Sequence, residues 1–524
     1  MPNYLAPGVY VEEVEAGSRP IEGVGTAVAA FVGFAAQGPL NTPTLVSNWS
    51  QYTQIFGEFV EDCHLGHAVF GYFLNGGGNC YVVRVGGGTA AEPRPPAASL
   101  GAYRVVARTP TPVGNGAGTP ALGAGAAAGG GGGGDLTVAV ADPPEGAGED
   151  RFTLLVKRGG KVEETFENVT TRRGKENVVT VVREKSKLIT LEEDSTGQAV
   201  TRPRTGEVAL TAPAPTAPAP ATVAPDEYVG DAAERTGFGG LEAVDEVTMV
   251  AVPDLMGAYQ RGAIDLDAVK TVQQAMIDHC ELMGDRMAIL DPPPGLSPQQ
   301  VRDWRMDGAG YDSKFAALYY PWVKVFDPAT GANRFVPPSG HMAGVWARSD
   351  NARGVHKAPA NEVVRGAVDL ELQLTRTEQE LLNPIGVNCV RSFPGRGIRV
   401  WGARTLSSDA AWRYLNVRRL FNYLEKSILN GTQWVVFEPN DEALWARIRR
   451  TISAFLVMEW RRGALFGLTP DEAFFVKCDS ETNSAESIDA GQVVCQVGIA
   501  PVKPAEFVIF QLAQVSGGTS LVNE

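Results

Sequence analysis

Two abrupt changes of composition constrain this chain before any motif is considered. Residues 89–134 are dominated by Ala, Gly and Pro and close on the glycine run Gly129 to Gly134, and residues 211–225 read TAPAPTAPAPATVAP. Neither tract can bury enough apolar surface to offset the entropy of ordering, so both are expected to be mobile or extended linkers. Between them lie four short β-branched runs, Leu136 to Val140, Phe152 to Lys157, Val178 to Arg183 and Leu188 to Leu191, separated by Gly, Pro and charges. These read as strands. The simplest organisation is a small β-rich domain inserted into a larger one at an exposed loop.

On either side the pattern is α/β. Strands are expected at Val28 to Phe34, Tyr81 to Val85, Val247 to Val252, Arg286 to Leu290 and Tyr319 to Val325. Helices are expected at about His64 to Leu74, at Asp265 to Met283, and after Ser297-Pro298, with Ser as N-cap and Pro at the first helical position. Strands alternating with helices imply a sheet covered by helices. The last third is richer in helix. Ser408 is the expected N-cap of a helix through Leu429, ended by Asn430-Gly431, whose apolar face carries Val417, Leu420, Phe421, Leu424 and Ile428. A second helix is expected from Asn440-Asp441-Glu442 to Arg461-Arg462, acid first and base last, as the helix dipole favours. Strands near Val493 to Ile499 and Phe507 to Gln514 follow.

The 524 residues suggest about three or four domains. A formal charge of −14 argues against a general nucleic-acid binder. The longest weakly polar run, Ala27 to Ala36, is about half of what a membrane helix needs, so no direct membrane insertion is expected. Met-Pro-Asn-Tyr opens the sequence without a basic region and apolar core, so no secretory signal is read there. Six cysteines (63, 80, 280, 389, 478 and 495) are too sparse for a disulfide framework and fit reduced thiols in a cytosolic protein.

Candidate chemistry is thin. Cys63-His64-Leu65-Gly66-His67, with Cys80, resembles a metal cluster but matches no common zinc spacing; the alternative is a helix N-terminus with a polar edge. Gly76-Gly77-Gly78 and Gly86-Gly87-Gly88 lack the Lys-Ser/Thr ending of a phosphate loop and read as turns. No Gly-x-Ser-x-Gly elbow occurs. His341 and His356 fall in expected loops and are the only candidates for a hydrolase, against packed or hydrogen-bonded loop residues. No catalytic residue, metal ligand or cofactor is assigned, and a non-enzymatic role is the favoured reading.

Four ordered blocks carry a resemblance. They are Tyr4 to Glu13 (YLAPGVYVEE), Val336 to Asp350 with Arg353 to Glu362, Leu382 to Asn388 with Gly395 to Thr405, and Tyr414 to Ile428. Together they make the chain similar to contractile tail sheath proteins, everywhere except about 90–230. The resemblance implies an α/β multidomain fold. Its parts would be an α/β core, an inserted small β-rich outer domain, and a C-terminal α+β domain with exchanged terminal strands. The boundaries expected on that basis are a linking arm at 1–25, a middle domain at 26–88 and 231–350, the insert at 89–230, a tube-facing domain at 351–500 and a second arm at 501–524. The resemblance also implies stacked six-fold rings forming a sleeve that contracts around an inner tube protein, with baseplate and cap proteins as further partners. The machine would be a phage tail, a pyocin-like particle or an extracellular-type injection system.

Two expectations follow for particular residues. Val9, Tyr10 and Val11 near the start lie in a short alternating strand without an obvious partner nearby in sequence, and Phe507, Val508, Ile509 and Phe510 near the end open a β-rich run after Pro504. Arms of this kind add to a neighbour's open sheet edge. From Arg396 to Arg462 there are twelve basic and six acidic residues, a net +6 within a chain of −14. On the first long helix of that region Arg419, Asn422 and Lys426 are expected to lie opposite the apolar face, free to meet an acidic tube; a solvated face or contacts to a neighbouring subunit are the alternatives.

Overall fold

The computed structural model describes residues 20–86 and 223–511 continuously and, between them, 97–100, 103–107, 136–143, 148, 151–172, 174, 176–193 and 202–210. Most of both linker tracts, and the strand expected around Val9, Tyr10 and Val11, lie outside the described residues. Residues 97–100 and 103–107, however, inside the first tract expected to be linker, are paired strands with Leu100, Tyr103 and Val105 buried. Contacts divide the chain into two compact units, Met1–Gly87 with Ala219–Glu524, and Gly88–Pro218.

The smaller unit holds two antiparallel sheets. Three strands, Ala97–Leu100, Tyr103–Ala107 and Ile189–Glu193, form one. Gly206–Ala209, Leu136–Ala141, Arg151–Arg158 and Lys161–Thr170 form the other, in that spatial order. Arg158 pairs with Lys161 across Gly159 and Gly160, both at positive φ, as a two-residue hairpin turn requires. Alternate side chains, among them Val138, Phe152, Leu154 and Val156, fill the core. Val178 to Arg183, expected as a strand, is a helix, Val178–Lys185. The Asn177 side chain accepts the N–H groups of Val179 and Thr180, and Val178 and Val182 turn together into the core. Capping and burial override β-branched propensity here.

The larger unit is built on eight strands: β1 (Ala29–Gly33), β2 (Thr44–Val46), β3 (Cys80–Arg84), β4 (Met249–Ala251), β5 (Met287–Leu290), β6 (Ala316–Tyr320) and, after a three-stranded sheet of β7 (Val323–Asp327), β8 (Ala332–Val336) and β9 (Ala367–Leu370), the last two, β10 (Val387–Phe393) and β11 (Gly397–Val400). Their order is β11-β10-β6-β5-β4-β1-β3-β2, parallel except at the two edges. The inner strands are buried on both faces, which is why they read as continuous apolar runs rather than alternating ones. The single strand expected over Tyr319 to Val325 is two. Pro321 has no N–H to give the ladder, and the chain leaves β6 for a different sheet at β7.

Helices cover the sheet. They include α1 (Trp49–Phe56), α2 (Leu65–Leu74), α3 (Leu266–Met283), α4 (Pro298–Asp303) and α5 (Ser339–Arg353). Asp265 caps α3 rather than opening it, and Ser297 caps α4 as expected, with Gln300 completing a capping box. The block Ser339-Gly340-His341-Met342-Ala343-Gly344 is not a loop but the first turns of α5. A Cβ at Gly340 would strike the Ala68 backbone, and one at Gly344 would strike Tyr72. Glycines at those two positions let α5 lie close against α2. The boundary expected at residue 350 therefore falls inside a helix, and β9, β10 and β11 beyond it continue the sheets of the preceding residues.

Beyond residue 400 come two long helices, α6 (Leu415–Gly431) and α7 (Glu442–Arg461), then a two-stranded antiparallel sheet of β12 (Phe474–Lys477) and β13 (Gln496–Ile499). Asp441 caps α7 as expected. Ser408 does not cap α6: its N–H and hydroxyl go to Asp312, at 2.8 and 2.5 Å, and the helix begins seven residues later. The strand expected over Phe507 to Gln514 is absent from its described part, since Phe507 to Gln511 carry no strand pairing.

Candidate functional site

Helix α6 joins the parts of the chain that could reach other molecules. Its basic residues were expected to face outward, and the structure turns them inward. The side chains of Arg419 and Asp350 are each 3% exposed and meet at 2.5 and 2.9 Å. Arg419 also donates to the Thr26 carbonyl at 3.1 Å and lies 4.8 Å from the Trp346 ring centre. Asn422 is buried and accepts a 2.7 Å bond from Arg418. Arg418 in turn covers Trp412 and reaches Glu425. Lys426 keeps some exposure but is paired with Asp285 at 2.9 Å and Asp245 at 3.4 Å. Burial pulls its ammonium down, yet the bonds and charges of the two aspartates outweigh that and hold it above its ordinary value. Arg419, Asn422 and Lys426 line one cleft of about 360 Å³ with Asp245, Glu246 and Asp285, so the acidic residues offset the local positive charge. The expected solvated basic stripe is not formed. α6 is packed by α5 and by the segment before β1, which an amphipathic pattern in isolation does not reveal.

The same helix roots both ends of the described chain. Near its C-terminal end, Ser427 Oγ accepts the Val24 N–H at 3.1 Å, Gly23 sits against Tyr423, and Ile21 packs at Gly431. Thr26 donates to Asp350 at 2.7 Å. Near its N-terminal end, Asn416 donates to the carbonyls of His356 and Val502, at 2.8 and 3.0 Å. Tyr414 and Asn383 bond Glu506, which also takes two bonds from Arg404 at 2.6 and 2.9 Å. Burial pushes the Glu506 carboxyl up, and its bonds from Arg404 and Asn383 more than reverse this, so it stays below the usual carboxylate range.

Immediately after that anchor the polarity inverts. Phe507, Val508, Ile509 and Phe510 are 73, 68, 81 and 83% exposed. Four consecutive large apolar side chains in water are unusual on a folded monomer. Among the described residues the β12–β13 sheet has two strands, with Phe475 exposed on it. A two-stranded sheet is marginal by itself and presents edges to which strands can be added.

The sites examined for chemistry are occupied with structure. His64 Nε2 faces Gln260 at 3.2 Å, and His67 lies 3.8 Å from Asp327 and 3.4 Å from Arg334. Burial, and secondarily Arg334, holds His64 down to about 3 and His67 down to about 4; burial and His67 hold His341 at about 4. Among the described residues no group of three His, Cys, Asp or Glu side chains is placed to hold a metal. His341 is buried in α5 beside Gly71, not in a loop, and His356 is half-buried with its carbonyl bonded by Asn416. All six cysteines are free thiols. No helix among the described residues is long and apolar enough to cross a membrane.

Sequence reasoning missed Asp350, Glu506 and Asn416, which hold the arms' roots. Their partners lie 60 to 324 residues away, and no local pattern announces such pairs.

Comparison with known proteins places this geometry. The phage tail sheath protein central domain model matches residues 236–406, and the phage tail sheath C-terminal domain model matches 407–514, together just over half of the chain. Among curated relatives, the tail sheath protein of Vibrio phage KVP40 is 26% identical over 291 residues, covering 51% of this chain and 42% of the relative. The tail sheath protein of Salmonella phage ViI is 27% identical over 255 residues, covering 46% and 39%. This chain thus spans about two fifths of the length of those two relatives. A putative prophage major tail sheath protein of Pseudomonas aeruginosa is 28% identical, covering 51% and 73%. Among solved structures, the anti-feeding prophage helical sheath in its contracted state aligns with a TM-score of 0.58 at 25% identity, covering 98% of this chain and 99% of that one. A chain of the six-fold symmetrised anti-feeding prophage baseplate aligns at 0.57 and 25%, covering 98% and 100%.

Proposed function

This chain belongs to the phage tail sheath family, and from that premise we propose that it polymerises as stacked six-fold rings around an inner tube and contracts to drive that tube into a target cell or membrane. The observation that carries the reading is the apolar run Phe507 to Phe510, exposed immediately beyond a fixed anchor at Glu506. In the assembled sleeve this run joins the open β12–β13 sheet of a neighbouring subunit, where backbone hydrogen bonds supply affinity and alternate side chains supply register. Val9, Tyr10 and Val11 form the second linking strand. Because both arms leave from α6, movement of that helix carries both connections, and subunits stay attached while the packing between them changes.

Contraction in this scheme needs no reaction centre. Subunits held in an extended packing relax to a better one after the first ring moves, because packed interfaces have discrete alternatives. Its partners are further copies of itself, the inner tube protein, and baseplate and cap proteins. Arg419 and Asn422 are no part of the tube contact in this reading, since both are buried within the subunit; Lys426 alone of the three keeps an exposed portion.

Negative-stain electron microscopy of the chain expressed alone tests the proposal. Striated tubes of uniform width are expected from the full chain. Removing residues 1–14, or 507–524, is expected to leave a folded protein that forms none. Intact tubes from either truncation would refute the linking role of that arm.

A further inference from the structure

The end of the β12–β13 hairpin carries a pair of cysteines that the assembly reading does not use. The register sets Phe474 opposite Ile499 and Lys477 opposite Gln496, so one further step sets Cys478 opposite Cys495. Directly opposed residues on antiparallel strands have Cα atoms roughly 4.5–5.5 Å apart, inside the range of about 4.4–6.8 Å over which a disulfide closes. The two thiols are near enough to shift each other's ionisation, Cys495 lowering that of Cys478 and Cys478 raising that of Cys495.

Asn483 fixes the same two strand ends from within the loop that joins them. Buried itself, it donates to Cys478 Sγ at 3.8 Å and to the Val494 carbonyl at 3.1 Å, and its side-chain oxygen accepts the Val494 N–H at 2.6 Å. Arg449 of α7 holds the Cys478 carbonyl. The loop is therefore already closed without a covalent bond, and forming one requires little movement of the backbone.

We propose that Cys478 and Cys495 are the site of a reversible cross-strand disulfide, formed by exchange with a low-molecular-weight disulfide in an oxidising milieu. Cys495, the more exposed of the two, attacks as thiolate and displaces one thiolate from the small disulfide, giving a mixed disulfide. Cys478 then attacks the Cys495 sulfur and releases the second small thiolate. Two protein thiols and one small disulfide become one protein disulfide and two small thiols, and the cysteine protons pass to the leaving thiolates. Burial raises both thiols, Cys495 to about 12, so exchange is slow near neutrality and accelerates with pH. In a reducing cytoplasm the pair stays open. Once formed, the bond closes the hairpin that the proposed function offers to a neighbour's arm. It also forms in the unassembled chain, so the two readings fail separately.

The test uses the full chain, purified reduced and then incubated with glutathione disulfide at mildly alkaline pH. Denatured thiol titration is expected to fall from six groups to four. Cleavage after Glu481 and Glu486 is expected to yield two peptides, one with Cys478 and one with Cys495, that travel together until reductant is added. In Cys478→Ser the exchange is expected to stop at a glutathione adduct on Cys495. Six titratable thiols after incubation, or a link between any other pair, would overturn the proposal.

Discussion

Helix α6 and the segment Phe507 to Phe510 break the same rule in opposite directions. The helix buries Arg418 and Arg419, while the segment exposes two phenylalanines, a valine and an isoleucine. Burying a charge is tolerated only where a partner and hydrogen bonds replace water, and Arg419 has Asp350, the Thr26 carbonyl and the Trp346 face. Exposing apolar surface is tolerated where something later covers it, and among the described residues nothing covers 507–510. The contrast separates what the subunit completes alone from what it leaves to the assembly. The buried Arg419 of α6 is paired within one chain, and in the proposed assembly a neighbour covers the exposed run.

The comparison breaks first if the interior pair is dispensable. Arg419→Ala leaves Asp350 buried without a counter-charge and is expected to cost about 3–5 kcal/mol in urea unfolding, whereas Arg419→Met with Asp350→Leu recovers most of it. A small loss in the single variant would mean that the charges are hydrated and that α6 is not a finished interior.

Glu506, where the two regions meet, comes next. Glu506→Ala removes charge-assisted bonds to Arg404 and is expected to cost about 2 kcal/mol. It should also loosen the arm, read as faster proteolysis beyond residue 506. Unchanged proteolysis would show that the anchor lies elsewhere.

The buried histidines sharpen the contrast through pH. Their folded values lie below the ordinary one near 6.5, so the unfolded chain binds more protons between about pH 6.5 and 4, and their contribution to stability is lost as pH falls through that window. Asp291, whose carboxyl burial pushes up to about 7, contributes the opposite slope. The informative quantity is therefore a difference: the unfolding temperature of His341→Gln relative to the parent is expected to rise as pH is lowered from 6.5 to 4. A difference independent of pH would place no titrating histidine at 341.

The smallest expected effect on the subunit is at the arm. Phe507→Ser with Phe510→Ser should change unfolding stability by less than about 0.5 kcal/mol, since neither ring is packed. The same variant should abolish tubes. A marked loss of monomer stability would show that the arm folds back onto its own subunit.

Much of the local architecture was legible. The Ser297 cap, the start of α7 at Asn440-Asp441-Glu442 and the apolar runs of β1, β3 and β5 lie where short-range rules put them. The run at 507–510 was legible as apolar and β-rich, but the strand expected there does not form in its described part. The failures share a cause. Val178 to Arg183 is a helix because Asn177 caps it and a core lies beneath it; His341 is in a helix because Gly340 and Gly344 meet α2; Arg419 is buried because Asp350, 69 residues earlier, lies opposite it.

By itself, then, the sequence determined the elements, their caps, the alternation of strand and helix, and the family blocks, because those depend on neighbours within a few residues. Only the tertiary structure decided which face of α6 is inside, where both arms are rooted, and that the two cysteines at 478 and 495 stand opposite each other. Those outcomes depend on contacts between residues far apart in the chain, whose free energy appears only once the intervening segments have folded.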